Sequence, residues 1–165
     1  MLFRSAAEKA QWRQPLKPGH FRGMAFCEAF RTFTCHVIEL SMEGNSIRVQ
    51  RVVAVVDAGN TLDPGISANS IEGGVAWGLT CAMKSEINFA SGRTVESNFH
   101  DYPVLRMFEM PPVEVHFIES GARPLGGVGE VGPVTVVPAL TNAIFAATGV
   151  RYRSLPLSRF GLTLA

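Results

Sequence analysis

The 165 residues are 47% hydrophobic and 18% charged, with fifteen basic side chains against fourteen acidic ones and a formal net charge of +1. That balance describes one globular domain, residues 1–165, with enough apolar material for a core, and it excludes a disordered chain. A charge so close to zero, with no basic cluster, leaves no electrostatic surface for nucleic acid or an anionic membrane.

The opening segment "MLFRSAAEKAQWRQPLKPG" carries charges throughout and has no apolar core of the kind a secretory signal needs. No export signal is expected in this segment, so cytoplasm and periplasm both remain open as compartments. Ser5 to Trp12 predicts a short helix, with Ser5 as N-cap and Glu8 in the capping-box position, stopped by "PLKPGH". From Phe21 to Asp57 the pattern turns to β structure: "GMAFCEAF", "TFTCHVIELSM" and "SIRVQRVVAVVDAG" are rich in β-branched and aromatic residues, with "EGN" as a hairpin turn before Ser46. Alternation in "HVIELSM" and "IRVQRV" predicts one buried and one wet face, whereas "VVAVV" predicts burial on both.

After "DAGNTLDPG", the segment "ISANSIEGGVAWGLTCAMKSE" places Ile71, Val75, Leu79 and Met83 four residues apart, the spacing of a helix with one buried stripe. Gly73, Gly74 and Gly78 each cost such a helix about 1 kcal/mol relative to alanine, so either tight packing or a ligand must come close there. A hairpin turning at Ser91-Gly92, a long polar and aromatic loop, and a strand in "VEVHFIE" follow. "SGARPLGGVGE" is too rich in glycine for regular structure, and a last helix is predicted from Pro133 to Thr148, with the proline in its first turn. Helices and hairpins in mixed order indicate an α+β fold, mixed or antiparallel strands packed with two main helices.

Cys27, Cys35 and Cys81 are odd in number and far apart, and with His20, His36, His100 and His116 they form no metal-ligand spacing, so buried thiols and packing or surface histidines are expected and no metal ligand is assigned. Twenty uncharged residues follow Glu130, nearly a membrane span in length, but Pro133, Pro138, Thr135, Thr141 and Asn142 interrupt them and no membrane insertion is expected. What Glu130 does at the mouth of this segment has two answers. Its carboxylate is either an acidic charge at a helix start, favoured by the macrodipole, or a general base whose apolar surroundings tune it toward proton transfer. The glycines before it would let a ligand approach backbone N–H groups.

The motif "GGVGE", the helix ending "ALTNAIFAATG" and the tail "RYRSLPL" resemble the C-terminal end of the molybdenum-binding subunits of the xanthine dehydrogenase and aldehyde oxidase family, and within it the large (beta) subunit of isoquinoline 1-oxidoreductase. "SAAEKAQWRQPL", "RVVAVVDAGNTLDP", "SIEGGVAWGL" and "VESNFHDYPVLRMFEMPPVEVHFI" extend the likeness in order across most of the chain. The resemblance implies that Glu130 is the base that deprotonates a molybdenum-bound hydroxyl, so that water-derived oxygen enters an N-heteroaromatic or aldehyde substrate. It implies a molybdenum–pterin cofactor, in bacteria commonly the molybdopterin cytosine dinucleotide, lying against Gly127, Val128 and Gly129, with Ser70 at a second contact. Many members carry glutamine at the Ser70 position, and a serine hydroxyl is shorter and lacks the paired donor and acceptor of an amide. The implied partners are the remainder of the large subunit, which supplies most of the cofactor cage and substrate pocket, and a small iron–sulfur subunit with two-iron clusters. A chain opening at Met1 and entering the pattern at once reads as a truncated gene, a split subunit or a domain, inactive alone. The alternative is a non-catalytic remnant or assembly module that packs on a partner.

Overall fold

The run Val52–Val56 is at most 1% exposed at every position, because both faces of its strand are covered and both edges are paired. The computed structural model describes residues 1–165, and this strand, β3 (Ser46–Asp57), is its centre. β1 (His20–Ala29) pairs antiparallel with β2 (Thr32–Glu43), and β2 pairs antiparallel with β3. Two short strands share the other edge of β3, both parallel to it: β6 (Val113–Phe117) beside Val52–Val56 and β7 (Thr163–Leu164) beside Ser46–Ile47. The two strands β4 (Phe89–Ala90) and β5 (Arg93–Thr94) form the separate hairpin expected at Ser91-Gly92, both of which have positive φ.

Three helices complete an α+β fold. α1 (Leu2–Lys9) packs Leu2, Ala6 and the following Ala10 on Cys35, Val37, Val53 and Val55. α2 (Pro64–Met83) and α3 (Val136–Thr148) cover the opposite face and enclose the main core, including Ile38, Leu40, Ile47 and Val52. The predicted stripe of α2 holds, with Ile71, Val75, Leu79 and Met83 all at most 2% exposed. Asp63 caps this helix by accepting from the Ile66 amide at 2.9 Å, and Pro64 follows where its missing N–H has no intrahelical acceptor. No helix is long and apolar enough to cross a membrane.

Three expectations are corrected. α1 begins at Leu2 and not after Ser5, whose amide already donates to the Met1 carbonyl; burial of Leu2, Ala6 and Ala10 at four-residue spacing outweighs the capping signal. His36, Val37 and Ile38 are all buried where alternation predicts a wet face, because α1 covers that second face; alternation holds where α1 is absent, as in exposed Arg48 between buried Ile47 and Val49. α3 begins at Val136, with Pro133 in the turn before it. Of the cysteines, Cys35 is buried and its thiol is pushed up to about 11 by desolvation, while Cys27 and Cys81 are half-buried.

The three glycines of α2 divide by environment. A Cβ at Gly74 would lie 2.6 Å from the Gly132 Cα, and one at Gly78 would lie 2.7 Å from the Val136 Cβ, so both allow the α3 entry turn to touch the helix backbone. A Cβ at Gly73 would meet nothing within 4 Å. Gly73→Ala should therefore stabilise the chain by up to about 1 kcal/mol through helix propensity, whereas Gly74→Ala should destabilise it by about 1–3 kcal/mol through overpacking. Urea unfolding of the two variants beside the parent chain checks the opposite signs.

Candidate functional site

The segment from Ser120 to Thr135 is irregular but tied down along its length. Asp57, at the end of β3, accepts from the Ser120 hydroxyl at 2.6 Å and from the Gly59 amide at 3.0 Å. The Gly121 amide then reaches the Gly59 carbonyl, and the Gly126 amide reaches the Ala58 carbonyl at 2.9 Å. Next the loop meets the β1–β2 turn: the Gly127 amide donates to the Phe30 carbonyl at 3.0 Å, and the Thr32 hydroxyl donates to the Gly127 carbonyl at 2.7 Å. Gly126 is required here, since a Cβ would collide with Thr32 Oγ1 and the Arg31 carbonyl. Phe30 and Arg31 hold positive φ, a conformation that L side chains adopt with strain.

One residue on, the Ser70 hydroxyl of α2 donates to the Val128 carbonyl at 3.3 Å. Gly129 and Glu130 are exposed, and beyond them Val131 is buried and Gly132 rests on Gly74. The amides of Val128, Gly129 and Glu130 donate to no backbone carbonyl. Ser70, Gly73, Gly74 and Trp77, on one face of α2, join Gly129, Glu130 and Pro133 around an open cleft of about 460 Å³.

The structure thus brings together Ser70, Val128, Gly129 and Glu130. Gly127 stands apart in one respect: its N–H and C=O are both used by the β1–β2 turn, so its polar backbone is not free to meet a ligand. Glu130 is not a helix-terminal charge. Five residues separate it from Val136, and the first turn of α3 contains no acid. Nor do apolar groups enclose it, because the uncharged segment after it turns inward through Val131, Val136, Ala139, Leu140, Ala143 and Ile144 while the carboxylate stays outside. Glu130 forms no ion pair with any neighbouring cation. Trp77, 54% exposed, is a cleft residue that the sequence reading passed over; its signal was its place seven residues after Ser70 and off the buried stripe.

Below the loop, His36 is fully buried on β2, facing Ala25 of β1 and Ala54 of β3 in register. Its Nδ1 makes a short hydrogen bond with Thr135 Oγ1, and its Nε2 has no partner. No group of three His, Cys, Asp or Glu side chains converges to hold a metal directly. A metal in the cleft would need an organic carrier; there a Cβ at Gly73 or Gly129 would meet nothing within 4 Å, and the nearby Val128, Gly129 and Glu130 amides donate to no backbone carbonyl.

Residues 4–111 match the model of the molybdopterin cofactor-binding domain family. The chain belongs to this family. It is 35% identical over 163 residues to the beta chain of isoquinoline 1-oxidoreductase from Brevundimonas diminuta, covering 94% of this chain and 20% of that protein. It is 27% identical over 176 residues to one of the nicotinate dehydrogenase subunits of Pseudomonas putida, covering 95% and 15% of the two chains. An Escherichia coli aldehyde oxidoreductase molybdenum-binding subunit is 30% identical over 136 residues, covering 77% and 19%. The chain therefore spans a fifth or less of the length of these relatives. The same fold occurs in quinoline 2-oxidoreductase from Pseudomonas putida 86, at a TM-score of 0.66 and 21% identity over 76% of this chain and 17% of that one. It occurs again in the aldehyde oxidoreductase from Desulfovibrio desulfuricans, at 0.67 and 23% over 76% and 14%.

The buried histidine beneath the site sets a pH dependence. Desolvation pushes the His36 imidazole from its ordinary 6.5 down to about 4. Between those values the unfolded chain binds a proton that the folded chain refuses, so stability rises with pH across this window and gains nothing from His36 above it. The full difference is worth about 3 kcal/mol. Urea unfolding from pH 7 down to pH 4 should show this loss in the parent chain, and His36→Asn should remove that part of the slope.

Proposed function

We propose that this molybdopterin-binding-family chain is the base-bearing part of a molybdenum hydroxylase large subunit, acting on an N-heteroaromatic or aldehyde substrate. The observation that carries the reading is the state of Glu130: an exposed carboxylate free of ion pairs, at the rim of a glycine-lined cleft, on a loop held before it at Gly127 and Val128 and after it at Gly132 and Thr135. A helix-terminal charge would sit in the first turn of α3, and Glu130 does not.

Ser70, through the Val128 carbonyl, and Thr32, through the Gly127 carbonyl, hold the loop while the Val128, Gly129 and Glu130 amides remain available as donors. These amides suit oxygen acceptors of a pterin cofactor, such as its phosphate groups, the cofactor being read here as the cytosine dinucleotide form. When bound, such a cofactor supplies two-electron oxidation with oxygen taken from water. Glu130 Oε would be the proton acceptor for that oxygen, a role within reach of a positioned carboxylate. The remainder of the large subunit would close the cleft and exclude water, and an iron–sulfur small subunit with two-iron clusters would carry the electrons away.

The second reading, a non-catalytic packing module, draws on exposed apolar surface. Phe3, Phe26 and Phe33 form a row with ring centroids 5.9 and 6.1 Å apart, and Phe89, Phe99, Met107 and Phe108 are each more than 70% exposed. Such patches mark surfaces meant to be covered. They are compatible with either reading, whereas the unpaired Glu130 is needed only by the first.

In the complete enzyme, Glu130→Gln keeps shape and hydrogen bonding but removes the proton acceptor. Rapid-mixing measurement of substrate-driven metal reduction, at equal molybdenum content, should show a fall of about 10² to 10⁴-fold. A raised KM with kcat intact would place Glu130 in substrate binding, and an unchanged reduction rate would remove it from the chemistry. Because these residues form one wall of a cofactor site, the 165-residue chain alone is expected to hold far less than one molybdenum per chain, which elemental analysis checks.

A further inference from the structure

We infer that His36 and Thr135 are a positioning pair: the Thr135 hydroxyl donates to His36 Nδ1 and so fixes the inner end of the Glu130 loop to the sheet. The geometry is unusual in three respects. Thr135 occupies the N-cap position of α3, where a threonine ordinarily accepts from a helix amide, yet it makes no capping bond and its hydroxyl turns to the imidazole. The imidazole is fully buried, in space left by two alanines opposite it, Ala25 and Ala54. Both partners are buried, at 0% and 1% exposure, so water does not compete for the bond.

The direction of the bond follows from counting unmet groups. If His36 Nδ1 carried the proton, both the Thr135 O–H and the Nε2 lone pair would be buried without partners. With the proton on Nε2, the hydroxyl is satisfied and one N–H is left, the smaller loss. Burial keeps the ring neutral at ordinary pH, so the Nδ1 acceptor is always available.

What the pair positions is the turn Val131–Thr135. At its outer end the loop is held through Gly126, Gly127 and Val128. At the inner end Gly132 touches Gly74 by van der Waals contact, and the His36–Thr135 bond supplies a directional link. Glu130 lies between these anchors. Its functional consequence rests on the reading of Glu130 as base; the geometry does not.

The test uses Thr135→Val, which keeps the shape and removes the donor, and Thr135→Ser, which keeps the donor. In the 165-residue chain, amide order parameters from NMR relaxation should fall at Gly129–Gly132 in Thr135→Val, from the rigid range near ~0.85 toward ~0.6. Exchange of the Ala139 amide, which donates to the Thr135 carbonyl at 3.0 Å, should quicken by about fivefold to tenfold, the change in local opening that one lost hydrogen bond gives. Thr135→Ser should restore both, and amides in the β2–β3 ladder should be unaffected. Nitrogen NMR of the imidazole should show the Nε2–H tautomer in the parent chain. Unchanged loop order in Thr135→Val, failure of Thr135→Ser to restore it, an equal rise in exchange throughout the sheet, or an Nδ1–H tautomer would each overturn the assignment. In the complete enzyme, Thr135→Val should lower kcat with KM unchanged. If Glu130→Gln is silent there while the loop measurements hold, the Glu130 reading fails and the positioning pair stands.

Discussion

Burial of β3 on both faces is the constraint from which the other placements follow. A strand of five consecutive residues at most 1% exposed needs a layer on each side and a partner on each edge. α1 supplies one layer, and α2 with α3 supplies the other. The return from β3 to its parallel neighbour β6 must pass over the sheet, as parallel pairing requires, and α2 is that passage. The loop after β6 then emerges beside the end of β3, where Asp57 and Ala58 receive it, and is delivered onto α2 and the β1–β2 turn.

Close backbone contact makes that delivery possible. Gly74 against Gly132 brings the turn before α3 onto α2, and Gly23 of β1 lets α3 lie on the strand, since a Cβ there would collide with the backbone of Ala139 and Ala143. Glycine at these points removes the spacing a side chain would impose. The cleft is what remains where Gly73 and Gly129 face no neighbour. Packing and vacancy thus arise from the same residue type, separated by one position along α2.

Sequence periodicity identifies the elements that bury a continuous face. "VVAVV" reads correctly as doubly buried and the stripe Ile71, Val75, Leu79, Met83 as one face of a helix, because in both cases the local pattern and the tertiary burial coincide. The wet face expected for "HVI" and the start expected at Ser5 both miss for one reason: α1 covers a sheet face that nothing local announces. At the site, "GGVGE" lies beside the cleft, and the hydrogen bond from the Ser70 hydroxyl to the Val128 carbonyl joins two residues that the sequence singles out separately. The inward turn of the segment after Glu130, and the use of Gly127 by the Phe30 carbonyl and the Thr32 hydroxyl, have no signal in composition or spacing. "FRTF" contains no glycine, asparagine or proline to mark a turn. His36 likewise reads as one scattered histidine until the strand register sets it between two alanines.

The hydrogen bonds that hold the Glu130 loop join residues far apart along the chain: 58 positions for Ser70 to Val128, 95 for Thr32 to Gly127, and 99 for His36 to Thr135. The hairpins of β1, β2 and β3 close over a few residues and can form early, whereas these links wait until nearly the whole chain has been gathered. The cleft is therefore a late product of folding. Under mild destabilisation it should be the region that opens first, before the sheet. An intact cleft is therefore a more stringent sign of the native state than the β1–β2 and β2–β3 hairpins, which need none of these links.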